Sequence, residues 1–206
     1  MSGILCIGIT GTIGAGKGTV VDYLVKEKQF LHFSVRGFLL ERIRLDGMPE
    51  NRDSMFLLGN RLRAEHGASY VVDCLYDQAM HEGKNCVIES IRTVGEVLSM
   101  RKKGNFFLLA VDAKSKTRYE RIIRRKSETD DIPFSTFITN EEREMSSSDP
   151  GHQNLRECIK MADFVLFNNG SREELFSGVE KAINSIKSWK NPGNSPDIRS
   201  GSILPE

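Results

Sequence analysis

The residues with the clearest chemical meaning lie at positions 9–20, ITGTIGAGKGTV, where Gly11, Gly14, Gly16 and Gly18 fall within eight residues. Glycine loses more backbone freedom on folding than any other residue and contributes no packing. Such density therefore requires compensation, from a turn or from a ligand. GTIGAGKG fits G-x-x-x-x-G-K between an apolar run and apolar residues at helical spacing. Small residues there let several backbone N–H groups converge on phosphate oxygens. The helix that follows adds its positive end, and Lys17 places a cation against the terminal phosphates. A plain glycine-rich turn is the alternative, and spacing, lysine and context together favour phosphate. Gly11, Thr12, Gly14, Ala15, Gly16, Lys17, Gly18 and Thr19 are accordingly the candidate phosphate-binding residues. One position departs from the usual loop. Ser or Thr normally follows the lysine and ligates Mg²⁺, whereas here Gly18 intervenes and Thr19 comes next. The chain contains no N-K-x-D guanine-reading motif.

Around this loop the sequence offers one acid and several arginines. In CVIESIRT (86–93) apolar residues lead to Glu89 at an expected strand end, where a carboxylate can orient water on Mg²⁺. Arg92 follows three residues later, and its guanidinium fork suits a phosphate. The segment KTRYERIIRRK (116–126) is a basic helix with Arg118, Arg121 and Arg125 on one face. Flexible arginines of this kind can stabilise the charge that develops during phosphoryl transfer. The polar stretch that follows, to Pro150, could close as a lid. Between the second and third expected strands, Arg36 follows a strand end and Arg63 sits in GNRLRAEHG. Both are candidates to hold an acceptor phosphate. For each arginine, and for Glu89, an ordinary surface ion pair is the competing reading. His32, His66, His81 and His152 share no ligand spacing, and none is read as catalytic.

These residues need a scaffold, and the apolar pattern supplies one. Short apolar runs at 3–10, 30–34, 84–90, 105–113 and 163–170 read as buried strands. Helical periodicity begins near Lys17, fills 36–81 with breaks at DGMPEN and HGAS, and returns at 93–104 and 172–189. Strands alternating with helices imply a mostly parallel α/β sheet covered on both faces. The helices of 36–82 exceed a simple crossover and suggest an acceptor-binding flap. A length of 206 residues suits one domain at 1–189, and the Pro-, Gly- and Ser-rich stretch 190–206 is expected to be a disordered tail. A net charge of +1 gives no overall attraction to nucleic acid or membrane. The opening residues are not expected to form a charged-then-apolar leader, no apolar run approaches a membrane span, and Cys6, Cys74, Cys86 and Cys158 are scattered as free thiols would be. Cytoplasmic location is the expectation.

In order along the chain, GITGTIGAGKGT, FSVRGFLLE, RLRAEHG, VIESIRTVGEV, LLAVDAKSKTRYERIIRR, EEREM and ADFVLFNNGSREEL resemble the adenylate-kinase-related P-loop nucleotide kinases. The likeness is strongest to a dephospho-CoA-kinase-like or nucleoside-monophosphate-kinase-like branch, and it covers residues 3–186. It implies a P-loop NTPase fold with a five-stranded parallel sheet of order 2-3-1-4-5, ATP as donor and Mg²⁺ as cofactor. GKGT is the form found in enzymes that hold magnesium largely through water, so Thr19 and Glu89 are implied metal-side residues. The resemblance implies that Lys17, Arg121 and Arg125 serve transfer and that Asn169 and Gly170 lie beside adenine. It further implies that Arg36, Arg63 and Arg92 hold a small phosphorylated acceptor, most simply a nucleoside or deoxynucleoside monophosphate. SVRG replaces the S-T-G-D of adenylate kinases, so the acceptor pocket is expected to differ from one built for AMP. Two alternatives stay open: a dephospho-CoA kinase, and a nucleotide-binding regulator or slow ATPase. The chain could act as a monomer or a homodimer.

Overall fold

A computed structural model of the protein describes residues 3–125, 132–146 and 152–189, with the Arg52 side chain excepted. Five parallel strands form one sheet: β1 Cys6–Gly11, β2 Leu31–Ser34, β3 Cys86–Glu89, β4 Phe106–Asp112 and β5 Phe164–Phe167. Their order is β2-β3-β1-β4-β5, as the family likeness implied. Cys6 pairs with both Cys86 and Phe106, which places the glycine-bearing strand at the centre.

Two apolar cores flank the sheet, divided by the two-residue alternation of strand side chains. Cys6, Cys86, Ile88, Phe106 and Leu108 face one way, with α2 (Val35–Leu45), α3 (Arg52–His66), α4 (Tyr70–Glu82), α5 (Val94–Lys102) and α8 (Leu155–Lys160). Ile7, Ile9, Val87, Leu109 and Val111 face the other way, with α1 (Lys17–Lys28) and α9 (Arg172–Trp189). Side-chain caps mark the starts of α2, α3, α5 and α8. Asn51 Oδ1 accepts from the Ser54 amide at 2.8 Å. Thr93 and Glu96 form a reciprocal capping box at the start of α5.

The expected acceptor region, 36–82, consists of α2, α3 and α4, broken where the sequence indicated. β1 begins at Cys6 rather than Gly3, and β5 stops at Phe167. The helix α6, Ser115–Arg124, ends one residue before Arg125, which caps it. Within the expected lid, 132–146 contain a helix that the sequence reading left as a polar stretch, α7 at Phe134–Met145. Residues 126–131 and 147–150 of that stretch, and the tail 190–206, lie outside the described residues. Phe137 anchors α7. It is 1% exposed, and its ring meets Tyr119 of α6 and Phe134.

Candidate active site

A cleft of about 900 Å³ opens along the carboxyl ends of β1, β2, β3 and β5. That is where ligands settle in open α/β sheets, and the size suits a small-molecule site. One end is built by the glycine loop. Gly16 caps α1 with φ at 103°, and a side chain there would collide with the Asn168 amide. Gly14 has φ at 76°, and a Cβ would lie 2.5 Å from the Arg118 carbonyl. Both positions therefore exclude any residue but glycine, through conformation and close approach together. Thr12 Oγ1 donates to Asp112 Oδ1 at 2.8 Å and ties the loop to the end of β4.

Lys17 curls over its own loop, donating to the carbonyls of Gly11 and Thr12, both at 2.9 Å. Burial, reinforced by the nearby Arg92 charge, pushes its pKa down to about 8, against the opposing pull of Glu89 and Glu144. Gly14, Gly16, Lys17, Gly18, Thr19 and Gly170 line the cleft. Gly11, Thr12 and Ala15 are buried behind the loop, where the Ala15 carbonyl accepts from Asn168 Nδ2 at 2.8 Å. Asn169 does not line the cleft. Its Oδ1 accepts from the Lys114 amide, and the asparagine that reaches the site is its neighbour Asn168.

Arg121 and Arg125 line the same end. Arg121 Nη2 donates to Asn168 Oδ1 at 3.4 Å. Its Nη1 is the one buried side-chain polar atom without a hydrogen-bond partner among the described residues. A buried donor left unpaired is costly, and a phosphate oxygen in the cleft would satisfy it. Arg118, expected on the same helical face, turns away. Its guanidinium pairs with Glu141 and donates to the Ala113 carbonyl at 2.7 Å, so it braces the fold.

Arg36, Arg63 and Arg92 also line this cleft, where the fold brings them together. Arg36 is exposed and forms no ion pair among the described residues. Arg63 is buried against Glu96 at 3.2 Å, with side chains 4% and 1% exposed. Glu96 also accepts the backbone amides of Arg92 and Thr93, so one carboxylate fixes the α5 cap and both arginines' surroundings. Glu89 reaches the cleft at the end of β3, and a hydrogen bond from His32 at 3.1 Å holds its carboxyl below the usual range. Ser90 follows with φ at 75°, a left-handed turn that lets Glu89 and Arg92 face one cavity. A non-glycine residue held there stores strain typical of functional sites.

Phe56, Ser90, Arg143, Glu144, Gln153, Asn168 and Arg172 also line the cleft, and the sequence reading missed them. Glu96, behind the cleft wall, did have a legible signal, since T-x-x-E ahead of an apolar run marks a capping box. The seven lining residues lie on α7, on loops, or on helices whose facing is set by tertiary packing. Among the described residues no cluster of three or more His, Cys, Asp or Glu could hold a metal by itself. None of their helices is long and apolar enough to cross a membrane, and the four cysteines are unpaired.

A family model described as an AAA domain matches residues 7–147. A UPF0200 protein of Methanocaldococcus jannaschii is 30% identical over 190 residues, covering 89% of this chain and 91% of that protein. The chain belongs to the UPF0200 family, within the AAA domain proteins. Another UPF0200 protein, from Methanococcus maripaludis, is 28% identical over 183 residues, covering 87% of this chain and 96% of its own length. Among solved structures, TT1252 from Thermus thermophilus superposes with a TM-score of 0.57 at 21% identity, covering 89% of this chain and 98% of its own. The shikimate kinase of Aquifex aeolicus gives 0.52 at 17%, covering 92% of this chain and 100% of its own. At such identities the likeness is one of fold, and the fold of this UPF0200 chain is that of the P-loop kinases.

Proposed function

We propose that this UPF0200 protein transfers the γ-phosphoryl group of ATP to a small phosphorylated acceptor, a nucleoside or deoxynucleoside monophosphate fitting best. The observation that carries the reading is the placement of two cationic groups of residues in one cleft. Lys17 and Arg121, whose Nη1 is unpaired among the described residues, line the same cleft as Arg36, Arg63 and Arg92. That many cations in one cleft supports the binding of two phosphorylated ligands together, which phosphoryl transfer between them requires.

The roles follow from chemistry. Gly14, Gly16, Gly18 and Thr19 receive the donor phosphates through backbone amides and the start of α1. Lys17 releases its loop carbonyls and turns to the β- and γ-phosphates. Arg121 and Arg125 neutralise the charge that builds up in transfer. Gly170 lies where the adenine edge passes. Thr19 and Glu89 would hold Mg²⁺ through its water shell, and the ion would offset the charge of the nucleotide phosphates. Arg36, Arg63 and Arg92 hold the acceptor. Little covalent chemistry is asked of the protein beyond positioning and electrostatics.

The test mixes purified protein with Mg·ATP and a panel of monophosphates, and follows ADP release and product mass. Turnover dependent on one acceptor class supports the reading. Slow hydrolysis indifferent to every acceptor would replace it with a nucleotide-sensing ATPase. Turnover confined to dephospho-CoA would move the transferred group to a hydroxyl acceptor.

A further inference from the structure

Helix α7 brings an acid to the acceptor side of the cleft that the proposed transfer has not used. Glu144 is 7% exposed, and its Oε2 accepts from Arg92 Nη1 at 2.7 Å. Gln153 Oε1 accepts from the same nitrogen at 3.0 Å. Two acceptors therefore pin one terminal nitrogen of the guanidinium. No acceptor sits on the other edge, Nε and Nη2, among the described residues. That edge is a planar pair of donors spaced for two oxygens of one phosphate. An arginine held at one corner loses less freedom when its fork binds than one free in solvent.

The holder is itself rigid. One turn before Glu144, Glu141 pairs with the buried Arg118. Arg118 in turn donates to the Ile13 carbonyl of the glycine loop at 3.4 Å. Phe137 locks the same helix into the core. Arg143 of α7 lies over the Phe56 ring of α3, 5.1 Å from its centre. The helix thus spans from the phosphate loop to the acceptor wall and fixes the carboxylate that holds Arg92.

We propose that Glu144 is a positioning residue for the acceptor: with Gln153 it pins Arg92 at Nη1 and presents the free Nε–Nη2 fork to a phosphate monoester. The inference rests on the proposed acceptor side of the cleft but not on turnover, so binding alone tests it. The probe is methyl phosphate, titrated by calorimetry into protein saturated with Mg·ADP, which occupies the loop end. Glu144→Ala is expected to weaken methyl phosphate about tenfold, with Mg·ADP affinity unchanged within twofold. Glu144→Gln keeps an acceptor on Nη1 and should recover most of the loss. Gln153→Leu, which uncovers no charge, should weaken binding by a smaller factor. Arg92→Ala should abolish the differences among the Glu144 variants.

Three results would overturn the inference. One is that Glu144→Ala binds methyl phosphate as the wild type does. A second is that it binds more tightly, which would make Glu144 a competitor for Arg92. The third is that the wild type binds no methyl phosphate. Failure of the transfer reading shows separately, as absence of acceptor-dependent ADP release while the binding differences persist.

Discussion

In the proposed transfer, Lys17 couples the chemistry to pH. Its pKa of about 8 in the ligand-free cleft lies below the ordinary 10.5 because burial disfavours the ammonium form. Only the charged form attracts phosphate, so kcat/KM for ATP should fall as pH rises through about 8, the value that the free protein reports. A profile flat to pH 10 would remove Lys17 from donor binding. For stability the sign is opposite. Between about 8 and 10.5 the unfolded chain binds more protons than the folded one, so this residue's contribution rises with pH across that window. Lys17→Ala should keep the fold and lower kcat by about two to three orders of magnitude, as loss of a transition-state contact does. Arg63 behaves differently from Arg36. Arg63→Ala strands Glu96 without its partner in a site 1% exposed, and should cost roughly 3–5 kcal/mol of stability, read by denaturant unfolding. Arg36→Ala, at an exposed position, should leave stability within about 0.5 kcal/mol and raise the acceptor KM. The sequence placed both arginines in one class. Spacing carried them to the cleft wall, but only the structure separates the buried, paired arginine from the free one.

At the scale of the elements, what could be read depended on how local each signal was. The loop, the start of α1 and the five strands rest on short-range patterns: glycine spacing, apolar runs and the alternation that sorts Ile7 from Cys6. Helix α7 rests on a long-range one. Its sequence, FSTFITNEEREM, is polar enough to read as a loop. It becomes a helix because Phe137 finds Tyr119 and because Glu141 and Glu144 find arginines far along the chain. A helix stabilised by so few anchors should respond sharply to their loss. Phe137→Ala is expected to cost about 3–5 kcal/mol, with amide exchange in 134–145 accelerating ahead of the β-sheet. Uniform acceleration across both would mean that α7 and the sheet open as one unit. Asn168 and Asn169 show the limit of motif transfer at strand ends. The strand stops at Phe167, and the alternation sends the first asparagine to the phosphate loop and the second to Lys114.

For the whole molecule, the sheet order and the cleft at its carboxyl edge follow from alternating strands and helices. Many chemistries share that frame, and in the proposed transfer the acceptor would be selected by cleft side chains drawn from α2, α3, α7 and the loops between strands and helices. On the donor side, the proposed transfer sets a triphosphate against the glycine loop and Arg121. Its most direct measurement is a calorimetric titration of the wild type and Arg121→Ala with a non-hydrolysable Mg·ATP analogue. One saturable site, weakened about tenfold or more when the unpaired guanidinium nitrogen is removed, is the predicted result. No heat at millimolar nucleotide, or equal affinity in the two proteins, would contradict it.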